Sequence, residues 1–183
     1  LTVHELSVGL AYAAQAQSQG KILGVHAKVD SGMGRLGVFP EEGPAFLKTL
    51  LRCPGLHVGG LFTHFARADE PGANTTGWQI ERFSRLVREL EASGLRPELV
   101  HAANSAGSLY FPGAYFDMVR PGIAIYGLEP SPEAPLPEGF LQALTWKAQL
   151  VSVKELPAGH GVSYGYRYTT TRSERIGVIP AGY

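Results

Sequence analysis

The stretch ILGVHAKVDSGMGRLGVF, residues 22–39, begins as an apolar strand and ends in a glycine-rich turn. Its apolar part is continuous rather than alternating, which is typical of a strand buried on both faces of a parallel sheet. Lys28, Asp30 and Arg35 lie within this otherwise apolar segment. Because unpaired charge is costly in such surroundings, these three residues either pair with one another or face a ligand.

Strand-like and helix-like segments alternate along the chain around this stretch. The predicted helices cover residues 4–20, 40–53 and 75–94, and the predicted strands cover residues 22–30, 56–66, 98–104 and 118–128. The apolar residues of the longest helix recur at a period that makes one buried face. They are Ile80, Phe83, Leu86, Val87 and Leu90. This alternation predicts an α/β fold with a parallel sheet, and both a barrel and an open sheet fit it.

The sequence pattern changes near Glu129. Residues 129–140, EPSPEAPLPEGF, are dense in proline and polar residues, as linkers and crossing loops are. The segments after them are rich in Thr, Val and Tyr with glycine turns, which favours antiparallel strands. We therefore predict part of an α/β domain in residues 1–130, a linker in 131–142 and the start of a β domain in 143–183.

Composition excludes several classes of function. The 183-residue chain has a formal net charge of +0 and a pI of about 7.2, so no basic surface for nucleic acid or an anionic membrane is expected. Its single cysteine, Cys53, excludes an internal disulfide framework and a Cys-based zinc site, and no metal is predicted. No apolar run approaches the roughly 20 residues that span a bilayer. A cytoplasmic location is the expectation.

Polar side chains cluster at the carboxyl ends of successive predicted strands, where parallel α/β sheets bind ligands. They are Lys28, Asp30, His64, His101, Asn104, Ser105 and Arg120. The small residues from Asn104 to Gly107 suit either a phosphate or a simple helix cap. Gly122 allows a close backbone approach to a ligand, and Arg120 either supplies positive charge to that ligand or pairs with Asp117.

Five segments together resemble the central part of bacterial alanine racemases, which are pyridoxal 5'-phosphate (PLP) enzymes of fold type III. The segments are KVDSGMGRLGV, THFARADE, HAANSAGSLYFP, FDMVRPGIAIYGL and VSYGYRYT, in that order. The resemblance implies the C-terminal portion of a (β/α)8 TIM barrel followed by the start of an antiparallel β domain. It also implies an isomerase that interconverts L- and D-alanine by a two-base mechanism and supplies D-alanine for peptidoglycan.

The resemblance implies a role for each residue at a matching position. Tyr164 corresponds to the catalytic tyrosine, which acts in the partner subunit's active site. Arg120 corresponds to the arginine that hydrogen-bonds the pyridine nitrogen of PLP, and His64 to the histidine that bridges this arginine and the tyrosine. Arg35 is expected to contact the cofactor's phenolic oxygen and the substrate carboxylate. Lys28 lies where the family often carries a carbamylated lysine, an anion that holds this arginine in place.

The cofactor's phosphate is expected at the carboxyl end of the third predicted strand, residues 98–104, and at the fourth, residues 118–128. The implied phosphate ligands are Asn104, Ser105 and the backbone of Gly122 and Ile123. Arg120 is the implied ligand of the cofactor's ring. The family assembles as homodimers with shared active sites, so a homodimer is the expected state, with the small molecule alanine as the other partner.

Two elements of the family's pattern are missing from these residues. The cofactor-binding lysine, which is also the second base, lies in a Lys-Ala-x-Ala-Tyr-Gly pattern that does not occur in residues 1–183. A second, phosphate-binding tyrosine is expected beyond Tyr183. The resemblance therefore predicts an interior portion of a longer enzyme, lacking the N-terminal lysine segment and the C-terminal end, and predicts that this portion alone is inactive.

Three other functions fit parts of the pattern. A racemase of broader specificity would act on serine, lysine or arginine, and residues outside these segments would decide it. A non-catalytic PLP-binding barrel protein would lack the β domain, and residues 145–165, whose pattern indicates such a domain, argue against it. A fold-type III decarboxylase would place an acid against the pyridine nitrogen, where this chain has Arg120.

Overall fold

The computed structural model describes residues 1–182, which fall into two units that divide between Ala143 and Leu144. Tyr183, the last residue of the predicted β domain, lies outside the described residues. Within residues 1–182, no helix combines the length and the apolar character that crossing a membrane requires.

The first unit is a parallel sheet with helices between its strands. Its strands are β1 (Thr2–Val3), β2 (Leu23–Lys28), β3 (Leu56–Phe62) and β4 (Leu99–His101), and its α-helices are α1 (Leu6–Ser18), α2 (Gly43–Leu50), α3 (Asn74–Ala92) and α4 (Ser105–Tyr110). Short 3₁₀ helices cover Pro40–Glu42, Pro112–Ala114 and Ile123–Tyr126. The predicted α/β class with a parallel sheet is confirmed.

The four strands pair in the order β1-β2-β3-β4, all parallel. Strands that follow each other in the chain are thus neighbours in the sheet, and a helical crossover connects each strand to the next. Because all four strands run in the same direction, their carboxyl ends lie at the same edge. The register pairs Lys28 with Phe62 and Phe62 with His101. Residues that follow these three positions therefore meet at one edge of the sheet.

The core lies between the sheet and the helices that cover it. Val25, Ala27, Leu61 and Val100 of the strands are fully buried, because both faces of a parallel sheet are covered. Helix α3 buries four of the five predicted apolar residues, and Ile80 is partly buried against the same core. The same helix also buries two polar residues that the apolar pattern did not reveal, Thr76 and Gln79.

The predicted strand over residues 118–128 is wrong. Only Met118 bridges to the sheet, opposite His101, and the chain then enters the 3₁₀ helix Ile123–Tyr126. The physical reason lies in two residues. Pro121 has no N–H to donate to a neighbouring strand, and Gly122 adopts φ −115° and ψ −88°, outside the strand region.

The second unit contains short antiparallel strands, as predicted. Strand β5 (Ser152–Leu156) pairs with β8 (Glu174–Val178), and β6 (Gly161–Val162) pairs with β7 (Tyr168–Thr169). A 3₁₀ turn, Tyr164–Tyr166, joins β6 to β7. Tyr166 belongs to this turn and not, as its spacing from Tyr168 predicts, to the same strand as Tyr168.

Candidate active site

Six of the predicted site residues line one cavity of about 330 Å³ at the carboxyl ends of β3 and β4. They are His64, Asn104, Ser105, Arg120, Gly122 and Ile123. The parallel strand order explains the gathering, because the loops that follow adjacent strands leave the sheet at the same edge. Asp69 contributes the only carboxylate among the described lining residues of this cavity.

Arg120 is held by several acceptors at once. Its Nη2 donates to the carbonyl oxygens of Thr63 at 2.9 Å and Ala102 at 3.0 Å, and lies 3.4 Å from Nδ1 of His64. Its Nη1 donates to Nδ1 of His101 at 2.6 Å. Burial lowers the pKa of this guanidinium, which nevertheless remains a cation at neutral pH. The side chain is therefore fixed in one orientation.

Asp117, the alternative partner of Arg120, is engaged elsewhere. Its carboxylate accepts hydrogen bonds from Arg96 at 2.6 Å and from the backbone N–H of Val100 at 2.7 Å. These contacts attach the loop before Arg120 to the start of β4. Asp117 thus has a structural role, and Arg120 is directed to the cavity without a carboxylate partner among residues 1–182.

A chain of two histidines continues the contacts of Arg120 into the sheet. Arginine has no acceptor, so Nδ1 of His101 accepts its hydrogen bond and the imidazole proton lies on Nε2. That nitrogen donates in turn to Nδ1 of His26 over 2.7 Å. Burial, followed by the charge of Arg120, lowers the pKa of His101 to about 4. The geometry and the low pKa together assign a neutral His101 with a single tautomer.

We predict from these histidines that the fold loses stability as the pH falls below about 6.5. The pKa of each of His26, His64 and His101 lies below its ordinary value in the fold, with burial as the leading cause. Between pH 6.5 and about 4 the unfolded chain therefore binds more protons than the folded chain, and acid favours unfolding. Each such group contributes a slope of up to about 1.4 kcal/mol per pH unit.

This prediction is checked by urea unfolding at several pH values from 7.5 to 5. The protein used is the full-length gene product that contains residues 1–183. The variant His101→Gln keeps an acceptor for Arg120 but cannot titrate, so its free energy of unfolding should fall less steeply with acid. Parallel curves for both proteins would contradict the assignment.

The ring of Phe62 forms one wall of this network. His101 stacks on it with 4.9 Å between ring centroids and 6° between planes. The guanidinium of Arg120 lies 5.2 Å from the centroid of Phe62, and Nζ of Lys28 lies 5.7 Å from it. Both distances are within the range of cation–π attraction, so one aromatic ring stabilises two cations, the buried Lys28 and the partly buried Arg120.

A cradle of donors surrounds the hydroxyl of Ser105. Its Oγ accepts from the backbone N–H of Gly122 at 2.8 Å and of Ala124 at 3.2 Å. An added Cβ on Gly122 would lie 4.0 Å from Ser105 Oγ, an ordinary contact distance, so Ser105 itself does not require glycine at this position. Hydroxyl and N–H groups that converge in this way are the donor set that phosphate oxygens bind.

Asn104 has a structural task in this arrangement. Its Oδ1 accepts from the backbone N–H of Gly107 at 2.9 Å, which makes it the N-cap of α4. The helix-cap interpretation therefore describes the contacts of Asn104 in the structure. The hydroxyl of the next residue, Ser105, lies within the donor cradle.

Asn104→Ala is expected to lower the free energy of unfolding by about 1 kcal/mol, the usual cost of removing an N-cap. Chemical denaturation measures it. The matched variant Ser108→Ala removes a hydroxyl that donates to the carbonyl of Asn104 within the same helix. A loss for Asn104→Ala no larger than the loss for Ser108→Ala would contradict the capping role.

The charged residues of the glycine turn do not form ion pairs with one another. Burial alone would raise the pKa of Asp30, but hydrogen bonds from the backbone N–H groups of Gly32, Met33 and Arg35 hold it below its ordinary value. Lys28 donates to the carbonyl of Leu36 at 3.0 Å, and burial lowers its pKa. Asp30 thus folds the turn, while the side chain of Arg35 is exposed at its far end.

The conformation of this turn depends on Gly37. Its φ of +114° is unfavourable for other residues, and a Cβ would lie 2.8 Å from the backbone nitrogen of Asp30. The two limbs of the turn therefore approach each other at a position that only glycine can occupy.

His64 lies within the field of three cationic side chains. Burial lowers its pKa first, and the charges of Arg120, Arg35 and Lys28 lower it further. These effects disfavour the imidazolium, so His64 is neutral at neutral pH, and its Nδ1 lies 3.4 Å from Nη2 of Arg120 as a hydrogen-bond acceptor.

Tyr164 lies in the second unit, at the tip of the β6–β7 turn. It is 97% exposed. Ser163 and Tyr166, on either side of it, have positive φ values of 57° and 45°. A backbone in this sparsely populated region presents the phenol outward instead of packing it.

Several contributors to the site were not predicted, among them His26, Phe62 and Ala124. His26 carried a signal, since it lies two residues before Lys28 in an extended strand and so shares its side of the sheet. Phe62 looked like an ordinary core residue. Ala124 contributes only a backbone N–H, for which a sequence offers no side-chain signal.

Comparisons with known proteins agree along the whole chain. The family model described as "Alanine racemase, N-terminal domain" matches residues 1–130, and "Alanine racemase, C-terminal domain" matches residues 143–183. An alanine racemase of Symbiobacterium thermophilum is 47% identical over 176 residues, which are 96% of this chain and 47% of that protein.

Solved structures give the same result. The alanine racemase of Streptomyces coelicolor A3(2) superposes with a TM-score of 0.85 at 40% identity, over 100% of this chain and 49% of that one. The alanine racemase of Bacillus anthracis with bound L-Ala-P gives a TM-score of 0.75 at 35% identity, over 98% of this chain and 47% of that one. The chain spans about half the length of the relatives it matches. It belongs to the alanine racemase family, whose members use PLP.

Proposed function

We propose that this chain forms part of a PLP-dependent alanine racemase that interconverts L- and D-alanine and supplies D-alanine for peptidoglycan. The observation that carries the proposal is the cavity in which the partly buried Arg120 lies beside the donor cradle of Ser105, Gly122 and Ala124. In a member of the alanine racemase family, this combination is the one that PLP requires.

The residues of the cavity fit the cofactor. A phosphate needs several N–H or O–H donors. Ser105 has its O–H to donate, and the backbone N–H groups of Gly122 and Ala124, which donate to Ser105 Oγ in this structure, converge on the same point. An aromatic ring nitrogen needs one donor, for which Arg120 is the candidate. When bound, PLP withdraws electrons from the α-carbon of an amino acid and so makes its proton acidic. Arg120 does not readily release a proton, so it keeps its hydrogen bond to a ring nitrogen without protonating it. His64, which touches Arg120, orients it from the cavity side.

Arg35 and Lys28 serve the negative groups on the other side of the site. We assign Arg35 to the phenolic oxygen of the cofactor and the carboxylate of alanine. Lys28 is the candidate for carbamylation, because burial lowers its pKa and only the uncharged amine reacts with CO2. The product would be an anion beside Arg35 in place of a cation.

Tyr164 is the proposed acid and base for one face of the substrate. Its exposure at the tip of a turn supports a role in the active site of a partner subunit and hence a homodimer with shared sites. The second base of the two-base mechanism is the lysine that holds the cofactor.

The strand order supports the proposed domain structure. Parallel strands that pair strictly in chain order are those of a (β/α)8 barrel, whereas a doubly wound sheet reverses its order at a switch point. We propose residues 1–130 as the C-terminal portion of such a TIM barrel, residues 131–142 as a linker and residues 143–183 as the start of the β domain.

Chiral chromatography of L-alanine incubated with the full-length gene product and PLP tests the function. Formation of D-alanine until the enantiomers are equal is the expected result. Serine, lysine and arginine are compared in the same assay, and faster turnover of any of them would replace alanine by a broader specificity. Bound PLP without turnover of any amino acid would identify a non-catalytic carrier instead.

A further inference from the structure

Gln79 is a fully buried amide on helix α3, outside the cavity. Its Oε1 accepts from the backbone N–H of Ala66 at 2.9 Å, and its Nε2 donates to the carbonyl of His64 at 3.2 Å. The same nitrogen donates to Oγ of Ser31 at 3.3 Å. One side chain therefore binds the backbone on both sides of Phe65 and, in addition, the residue that follows Asp30.

The partners of Gln79 belong to the two loops that carry His64 and Arg35. Ser31 Oγ also bonds Oγ1 of Thr63 over 2.7 Å, and both hydroxyls are buried. Thr63 in turn offers its carbonyl to Arg120 at 2.9 Å. A continuous set of hydrogen bonds thus runs from α3 through both loops to Arg120.

Packing of α3 against the glycine turn reinforces these bonds. A Cβ on Gly32, whose φ is +144°, would lie 2.6 Å from the ring of Trp78 and 3.2 Å from Cγ of Gln79. Arg82, one turn further along α3, has Nη1 3.4 Å from the carbonyl of Ser31. The turn is therefore pressed onto this face of the helix, with Gln79 at its centre.

We infer that Gln79 is a positioning residue that couples the Arg35 loop to the His64 loop and so fixes the distance between these two parts of the site. The inference deepens the proposed function and rests on it for the catalytic consequence. If Gln79 served only to fill space, an apolar side chain of its size would do so without the cost of burying an amide. Its three hydrogen bonds instead select one separation of the loops.

The experiment replaces Gln79 by methionine in the full-length gene product, which keeps the length of the side chain and removes its hydrogen bonds. The matched control is Thr76→Val on the same helix. Thr76 is equally buried, and its hydroxyl has no hydrogen-bond partner among residues 1–182. Both variants change a buried polar group to an apolar one, but only Gln79→Met releases the loops.

Two readouts separate positioning from a merely structural role. The first is kcat for racemisation, which we expect to fall about 10-fold or more in Gln79→Met, because displacements of about 1 Å have such effects. The second is the pKa of His64, measured by NMR titration of its imidazole without substrate. Burial first, and then the charges of Arg120, Arg35 and Lys28, lower that pKa, and Asp69 lines the same cavity, so released loops that expose the imidazole should bring its pKa back toward the ordinary value.

Thr76→Val should match the wild type in both readouts, and the isosteric Gln79→Glu should lie between the wild type and Gln79→Met. If Gln79→Met does not fold, Gln79→Glu carries the test. A lowered melting temperature with unchanged kcat and an unchanged His64 pKa would overturn the inference. If the gene product racemises nothing, the proposed function fails, while the His64 titration still decides whether Gln79 positions the loop.

Discussion

Arg120→Glu should lower racemisation of alanine by at least about 100-fold and raise transamination relative to racemisation. The size of the loss is that of removing a donor fixed against developing charge, which costs about 10²–10³ in kcat. The shift in partitioning follows from proton affinity. The guanidinium keeps its protons, whereas a carboxylic acid shares its proton with a neighbouring ring nitrogen, and a protonated ring takes up more of the negative charge.

Three neighbours of Arg120 would respond to the new carboxyl group. The carbonyls of Thr63 and Ala102 lose their donor, and the pKa of His101, which the charge of Arg120 now helps to lower, should rise. Arg88→Glu, with the same change of charge on the exposed side of α3, is the control. Coupled assays for D-alanine and for pyruvate give the partitioning, and an unchanged ratio in Arg120→Glu would contradict its role.

Tyr164→Phe should reduce kcat by about 10²- to 10⁴-fold, the range of a general acid or base. The free energy of unfolding should stay within about 0.5 kcal/mol of the wild type, because an exposed side chain contributes little to stability. Tyr166→Phe is the matched control, since Tyr166 lies in the same turn and is 70% exposed. Equal activity of the two variants would exclude Tyr164 as the acid or base.

Mixing the two inactive variants tests the shared site. If Tyr164 acts in the partner's active site, a hybrid dimer of Arg120→Glu and Tyr164→Phe contains one intact site. Random exchange of subunits should then restore about a quarter of the wild-type activity. No recovery after verified exchange would place Tyr164 in the site of its own subunit.

The sequence was most informative about the sheet. Strands such as LGVHAK and LHVGGLF are apolar and bounded by turn residues, so their position and parallel character followed from local pattern. Residues 118–128 look similar in composition, yet Pro121 and Gly122 end the pairing. Whether an apolar run finds a sheet neighbour depends on individual backbone N–H groups, which an average over the run conceals.

The site was predictable in its membership more than in its contacts. Six predicted residues line one cavity, because strand ends gather at one edge of a parallel sheet. The partners were harder to foresee. Neither pairing among Lys28, Asp30 and Arg35 nor the pair of Arg120 with Asp117 exists, since backbone groups satisfy Asp30 and Arg96 takes Asp117. Backbone partners depend on the folded path of the chain, which residue types alone do not specify.

The wall made by Phe62 has a consequence for how the cavity treats charge. Lys28 and Arg120 form no salt bridge within residues 1–182, and both contact backbone carbonyls and the face of one aromatic ring. Neutral groups solvate a cation without cancelling it. The ring and the carbonyls therefore hold both side chains in place, and the positive charge of each remains able to attract an anionic group of a ligand.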